Sequence, residues 1–174
     1  MPNSARSRRS FVLRAATAAG VAPLALRVLA GDADAAPRGD DTDIAILSAA
    51  LMLEHHAIAL YEHGLEGGLF PRGLRAYAVE FRGDHVGHRD TQVAIVEERG
   101  GRAPAPLRYE FPDARSGDAF VRQALEIEDA AQLAYSGLIG RIRTDDYLLS
   151  AGFILIDEVR HLTVWRRVLG LKIY

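Results

Sequence analysis

A repeated pattern of polar residues inside two apolar helical seams constrains the fold of this chain more than any other feature. In each seam the residues follow one another at steps of four, three, four, three and four, which keeps them on one face of an α-helix. The first seam comprises Leu47, Leu51, Glu54, Ile58, Tyr61 and Leu65, and the second Val121, Leu125, Glu128, Gln132, Tyr135 and Ile139. Both seams place a glutamate at a core position and a tyrosine seven residues later. The pattern predicts two equivalent halves, each with a carboxylate directed into the core.

Capping residues, glycines and prolines divide the chain after Thr42 into four helices. Thr42 and Ser116 are predicted to cap the first and third helices, and Thr144 to begin the fourth. The predicted helices span approximately residues 43–66, 71–99, 117–141 and 144–169. No segment has the alternating pattern of a strand, so the predicted fold class is all-α.

Loop lengths predict how the helices are connected. Short turns join helices one and two, and helices three and four, so each pair forms an antiparallel hairpin. Residues 100–116 contain three prolines and no helical period. This segment can extend about 55 Å, whereas a helix of this length spans about 40 Å. We therefore expect a four-helix bundle in which one long crossover joins two hairpins.

The second and fourth helices repeat a further set of polar residues. Residues 84–88 read Asp-His-Val-Gly-His and residues 157–161 read Asp-Glu-Val-Arg-His. Glu54 precedes His85 by 31 residues and Glu128 precedes Glu158 by 30. Residues three apart share a helix face, so each hairpin is predicted to bring one glutamate opposite one inward-facing pair.

Carboxylates in an apolar seam cost several kcal/mol each unless they are paired or coordinated. Two arrangements would compensate for this cost: neutral histidines could join the glutamates around divalent metal, or protonated histidines could pair with them in a metal-free network. Carboxylate and imidazole ligands suit iron, manganese or zinc. The predicted metal ligands are Glu54, His85, His88, Glu128, Glu158 and His161.

These residues resemble those of the ferritin-like superfamily of di-metal carboxylate proteins, and the resemblance extends over residues 43–170. The family pattern is a glutamate from each of two helices and Glu-x-x-His from each of the other two. The closest similarity is to small exported ferritin-like domains of bacteria. The resemblance implies that Asp84 and Asp157 hydrogen-bond histidine ligands on neighbouring helices. Iron is the metal it most favours, with a ferroxidase-like oxidoreductase as the implied activity.

His85 departs from the family pattern, which has a glutamate at this position. The set therefore has three carboxylates for two divalent ions, leaving a charge of +1 for a dinuclear site or −1 for a single metal. A bridging hydroxide would neutralise the first case, so mononuclear and dinuclear sites both remain open. Tyr61 and Tyr135 are expected to be core tyrosines, with a role beside the metal as the alternative. Gln92 and Trp165 are expected to fill the core beneath the site.

The first 35 residues are predicted to be a twin-arginine export signal. Arg8 and Arg9 precede a weakly apolar, alanine-rich stretch, and Ala33-Asp34-Ala35 provides small residues for signal peptidase. The predicted organisation is a signal at 1–35, a flexible mature N-terminus at 36–42 and the helical domain at 43–174. The expected location is periplasmic, in the cell envelope or secreted. The translocase and signal peptidase are the partners during export.

The composition of the chain excludes several classes of function. Residues 36–174 carry 16 basic and 21 acidic residues, so no basic stripe for nucleic acid is expected. The chain has no cysteine, which excludes thiolate sites and disulfides. No transmembrane span is expected in the mature chain. A homodimer is one possible assembly, and the sequence does not fix the oligomeric state. Two functions remain: an exported metal-handling or oxidase protein, and a metal-free scaffold that acts as a binding or stress-related module in the cell envelope.

Overall fold

The computed structural model describes residues 40–173, which form four long helices and contain no strand. The predicted export signal and residues 36–39 lie outside the described residues. In chain order the helices are α1 Asp40–Glu66, α2 Arg75–Glu98, α3 Gly117–Leu138 and α4 Asp145–Val168. Short 3₁₀ turns at Arg72–Leu74 and Ile139–Arg141 precede α2 and follow α3. The predicted all-α fold is confirmed.

The two predicted hairpins are the main packing units of the bundle. Helix α1 packs along α2 and α3 along α4, and the pairs join through α1–α3 and α2–α4 contacts. Gly68 and Gly100, which end α1 and α2, have φ angles of +63° and +74°. Glycine adopts this left-handed conformation without the steric cost of a side chain. By length and composition the Thr42–Glu66 segment could cross a membrane, and most of it is buried inside the bundle.

Ser116 caps α3 as predicted, whereas Thr42 does not cap α1. The hydroxyl of Ser116 accepts a hydrogen bond of 3.1 Å from the Ala119 amide and caps α3. Helix α1 begins at Asp40, so Thr42 lies in its first turn rather than before it. The observed helix therefore begins three residues before the predicted start at residue 43.

The buried carboxylate of Asp43 connects the start of α1 to the turn between α3 and α4. It accepts hydrogen bonds from the backbone amides of Arg143 and Thr144, at 3.2 and 3.1 Å. The Thr144 hydroxyl donates to the same carboxylate at 2.9 Å instead of capping α4. Asp43 thereby joins the first helix to the second hairpin.

The crossover runs from residue 99 to residue 116 without regular structure and is held against α1 by two adjacent histidines. His55 Nε2 lies 3.1 Å from the carbonyl oxygen of Pro104. The ring of His56 stacks on Tyr109 and Phe111, with ring centroids 4.8 and 5.5 Å away. These contacts account for the burial of both histidines.

Two apolar clusters occupy the bundle on either side of a polar layer. Tyr135, Leu138 and Ile154 belong to one cluster, and Tyr61 and Trp165 to the other. The hydroxyls of the two tyrosines reach glutamates in the layer between them. The candidate site therefore lies inside the bundle, with packed side chains at both ends.

Candidate metal centre

All six predicted ligands are buried and come together in the polar layer. The least buried, His88, is 8% exposed. Each helix contributes to the cluster: Glu54 from α1, His85 and His88 from α2, Glu128 from α3, and Glu158 and His161 from α4. The structure therefore places each glutamate and its inward-facing pair at the same depth in the bundle, as the two sequence spacings predicted.

The six residues form two overlapping groups of four. The first comprises Glu54, His85, His88 and Glu158, and the second His85, Glu128, Glu158 and His161. In each group every residue offers one ligand atom, and these atoms lie within 4.8 Å of one another. His85 and Glu158 belong to both groups, so the site has two adjacent positions that could hold a metal ion.

His85 lies at the centre of the cluster and contacts a glutamate with each ring nitrogen. Its Nδ1 is 2.8 Å from Glu54 Oε2 and 3.6 Å from Glu158 Oε1. Its Nε2 is 3.4 Å from Glu128 Oε1. The ring thus links the two groups, and its hydrogen bond to Glu54 is the contact expected of a metal-free network.

The other two histidines are oriented by aspartates from the opposite hairpin, as the resemblance implied. His88 Nε2 lies 3.3 Å from Asp157 Oδ2, and His161 Nε2 lies 3.0 Å from Asp84 Oδ2. When Nε2 carries the proton donated to aspartate, Nδ1 of a neutral ring presents a lone pair. The structure therefore favours the histidine tautomer that binds metal through Nδ1.

The two Nδ1 atoms face carboxylate oxygens rather than donors. His88 Nδ1 is 3.3 Å from Glu158 Oε1, and His161 Nδ1 is 3.4 Å from Glu128 Oε2. Within residues 40–173 none of these atoms has a hydrogen-bond partner, and Glu158 Oε2 also lacks one. Buried acceptors that face one another are destabilising unless protons or cations lie between them. This donor set fits a divalent ion with oxygen and nitrogen ligands.

Each tyrosine hydroxyl binds the glutamate of the opposite hairpin. Tyr61 donates to Glu128 Oε1, and Tyr135 donates to Glu54 Oε1 at 2.5 Å. Burial, followed by the charge of the adjacent glutamate, raises the pKa of both tyrosines well above 10. The hydroxyls therefore keep their protons, and the tyrosines orient the carboxylates as well as filling the core.

Gln92 and Trp165 do more than fill the core beneath the site. Trp165 Nε1 donates to the Tyr61 hydroxyl at 2.7 Å, and Gln92 Nε2 donates to the hydroxyl of Tyr135. Both residues follow His85 or Glu158 by seven positions. That shared spacing was the available signal that they have equivalent positions, although it did not show what they contact.

Arg160 is a further residue of the site that the sequence pattern did not indicate. Its guanidinium contacts Asp84 Oδ2 at 2.5 Å and Asp157 Oδ1 at 3.4 Å. These are the aspartates that orient the two histidines. Gly87 occupies the equivalent position of the other hairpin, so this connection is present on one side only.

The charges of the cluster interact strongly in the metal-free protein. Burial disfavours the ionised form of Glu54, but contacts with His85 and His88 outweigh burial and lower the pKa of Glu54 to about 2. Burial also opposes protonation of His85, but the charges of Glu158 and Glu128 raise the pKa of this histidine well above its ordinary value. Burial and the neighbouring carboxylates raise the pKa of Glu158 well above its ordinary value, despite the opposing charge of His85. Without metal, protons on His85 and Glu158 therefore reduce the charge imbalance.

The remaining histidines of α1 lie outside both groups. His55 and His56 contact the crossover, although both are close in sequence to Glu54. His63 is exposed and stacks on Phe111. None of the three completes either group as an accessory ligand.

Comparisons with known proteins agree with this architecture. The family model of the ferritin-like domain matches residues 42–171. A crystal structure of a conserved hypothetical protein, rv2844, from Mycobacterium tuberculosis is similar, with 28% sequence identity and a TM-score of 0.68. The similarity covers 74% of this chain and 90% of that one. No curated protein matches the chain. The matched region contains all four helices and all six candidate ligands, and the chain belongs to the ferritin-like family.

Proposed function

We propose that this protein is an exported metal-handling protein that binds divalent metal, with iron as the main candidate, in the Glu/His layer of its bundle. The observation that carries the proposal is the set of unpartnered acceptors: Nδ1 of His88 and His161 face oxygens of Glu158 and Glu128. A cation bound between them would satisfy atoms that the protein leaves without hydrogen bonds.

The residues that would hold the metal have distinct tasks. Glu54 and His88 would serve the first position, Glu128 and His161 the second, and His85 and Glu158 belong to both groups. A bound divalent ion supplies positive charge and, for iron, one-electron redox chemistry. The protein's own contribution is to orient these ligands and to bury them so that water has little access.

Metal binding is expected to displace protons from this cluster. His85 and Glu158, whose pKa values are raised in the metal-free protein, must lose protons before they can act as ligands. Acidification should therefore weaken metal binding, whereas neutral and higher pH should favour it. The shared His85 leaves the stoichiometry at one or two metals.

The alternative function is a metal-free scaffold in the cell envelope. It is favoured by the 2.8 Å contact between His85 Nδ1 and Glu54 Oε2, which satisfies one carboxylate oxygen without metal. In that case a protonated His85 would be the permanent counterion of the cluster. In that arrangement the proton on Glu158 would lie between its carboxyl and a neighbouring acceptor, such as His88 Nδ1 at 3.3 Å from Oε1.

Metal content per chain separates the two functions. The parent protein is produced in iron-, manganese- or zinc-supplemented medium and compared with a Glu158→Gln, His161→Gln double variant. His63→Gln is a matched control, because His63 is an exposed histidine outside both groups. A content near one or two in the parent and the control, and near zero in the double variant, supports the proposal. An empty parent, or equal content in the double variant, refutes it.

Oxidase activity and export are further parts of the proposal. Anaerobic addition of Fe²⁺ followed by oxygen tests whether the protein accelerates iron oxidation and oxygen uptake. For export, replacing Arg8 and Arg9 by lysine should keep the protein inside the cell if residues 1–35 are a twin-arginine signal. Export that survives this change would refute that assignment.

A further inference from the structure

Helix α4 presents an apolar stripe on the side opposite the metal-site layer. Leu149, Phe153 and Ile156 are 61%, 61% and 65% exposed. They lie one turn apart on a helix whose other face carries the buried ligands Glu158 and His161. With Gly152 they line a shallow surface groove. Contiguous exposed apolar residues of this kind commonly mark interaction sites.

Gly152 leaves a notch in this stripe. Among the described residues, no atom lies within 4 Å of a Cβ added at Gly152, and the same holds for Gly83, Gly87 and Gly137 in the other helices. The glycine does not by itself indicate a partner, but it leaves space beside Phe153 that a large side chain can occupy.

We propose that the stripe is the contact between two copies of this chain, with their α4 helices antiparallel across a two-fold axis. When the axis passes between Gly152 and Phe153, each Phe153 lies over Gly152 of the second copy. In the same register Leu149 meets Ile156 of the other copy. A large side chain thus faces a notch at the centre, with aliphatic residues on both sides, as an isologous contact requires.

Charge at the ends of the stripe adds little to this register. Asp145 lies one turn before Leu149 and would lie opposite Arg160 of the second copy. The guanidinium of Arg160 already contacts Glu80, Asp84 and Asp157 of its own chain. The register therefore depends on the packing of the apolar residues.

The area of the stripe predicts a dimer of modest affinity. An aromatic residue has roughly 150–250 Å² of surface, so the exposed 61% of Phe153 contributes roughly 90–150 Å². Leu149, Ile156 and the flanking residues bring the total to about 400–500 Å² per copy on the same scale. The combined area of about 800–1,000 Å² lies at or below the lower limit of about 1,000 Å² for a stable specific interface, as in weak and transient complexes. We expect dissociation in the micromolar range.

Sedimentation velocity of the full chain over a range of concentrations tests the proposal. Phe153→Glu should weaken dimerisation at least 30-fold, since it replaces the central apolar contact with a charge. Val79→Glu is the matched control, because Val79 is a 52% exposed valine on α2. Circular dichroism establishes that both variants retain their helices. A parent that remains monomeric up to 100 µM, or equal dimerisation of the two variants, overturns the proposal.

Cross-linking tests the register. The chain has no cysteine, so introduced thiols react without background. A short bismaleimide should join a Leu149→Cys copy to an Ile156→Cys copy much faster than it joins Leu149→Cys to Val79→Cys. Equal rates for the two mixtures would overturn the antiparallel α4 contact. Arg160 is left unchanged because it also contacts Asp84 and Asp157.

Discussion

Replacing Glu158 with glutamine should stabilise the metal-free protein, although Glu158 is a fully buried core residue. In the part of the chain that the structure describes, neither carboxylate oxygen of Glu158 has a hydrogen-bond partner. A glutamine of the same shape removes an ionisable group, and its amide can donate to the unpartnered Oε2 of Glu128. Each buried unsatisfied polar group costs about 1–3 kcal/mol. Relief of one such group should add about 2 kcal/mol to the free energy of unfolding.

The effect of Glu158→Gln should depend on pH with a definite sign. The pKa of Glu158 is raised in the folded protein, so folding takes up a proton. The protonated carboxyl stabilises the fold fully below the ordinary pKa of 4.5, and this stability is lost as pH rises through the folded value. Glutamine does not ionise. The advantage of the variant should therefore be smallest near pH 4 and should widen as pH rises above 4.5.

Thermal unfolding of chelator-treated protein measures this difference. For a domain of this size, about 2 kcal/mol corresponds to a Tm increase of about 6–10 °C. Glu126→Gln, which neutralises an exposed glutamate on α3, is the control and should change stability by less than about 0.5 kcal/mol. A lower Tm for metal-free Glu158→Gln would refute the argument that Glu158 is an uncompensated buried acid.

Excess metal should make the parent protein more stable than Glu158→Gln, which is the reverse of the order expected without metal. Free metal at 100 times its Kd stabilises a folded protein by about 2.7 kcal/mol. The parent should gain this stability, whereas Glu158→Gln should gain much less because Glu158 belongs to both ligand groups. Equal gains in the two proteins would show that the metal binds elsewhere.

Three further perturbations test the packing around the site. Asp43→Ala should lower the free energy of unfolding by about 1–3 kcal/mol in a denaturant titration, because it leaves partly buried donors at Thr144 without their acceptor; an unchanged value would refute this connection. Gly64→Ala should cost about 1–3 kcal/mol in the same assay, since the new Cβ would lie 2.2 Å from the Phe120 ring, and a neutral effect would show that the ring moves freely. His56, whose pKa burial lowers to about 4, should stay neutral in an NMR titration down to about pH 5. The stability that neutral His56 contributes is present above pH 6.5 and is lost as pH falls. His56→Phe should therefore make the free energy of unfolding less sensitive to acid. Titration of His56 near pH 6.5 would contradict this prediction.

The fold could be predicted because its signals are local. Helical periodicity and the caps and glycines at the turns place four helices, and the length of the crossover allows the hairpin arrangement. The clustering of Glu54 with His85, and of Glu128 with Glu158, followed from nearly equal spacings of 31 and 30 residues across the two hairpins. These inferences needed no knowledge of rotamers or of helix rotation.

Contacts between the hairpins could not be predicted in the same way. The hydrogen bond from Trp165 to Tyr61, and the bridging position of Arg160, depend on how each helix is rotated in the bundle. The role of Asp43 depends on its carboxylate reaching across to the α3–α4 turn, where it accepts hydrogen bonds from the amide and hydroxyl of Thr144. Such contacts are set by tertiary packing between residues far apart in the chain, which a single sequence does not encode as a spacing.

The reciprocal bonds of the polar layer tie the site to the association of the two halves. Tyr61 and Tyr135 each orient a glutamate that belongs to the other hairpin, and Asp84 and Asp157 each orient a histidine of the other hairpin. Neither hairpin alone carries an oriented set of ligands. If the crossover were cut, two separately made hairpins would regain the site only by finding each other. A bound ion would then hold the two hairpins together, and its dissociation rate would depend on how often the hairpins separate.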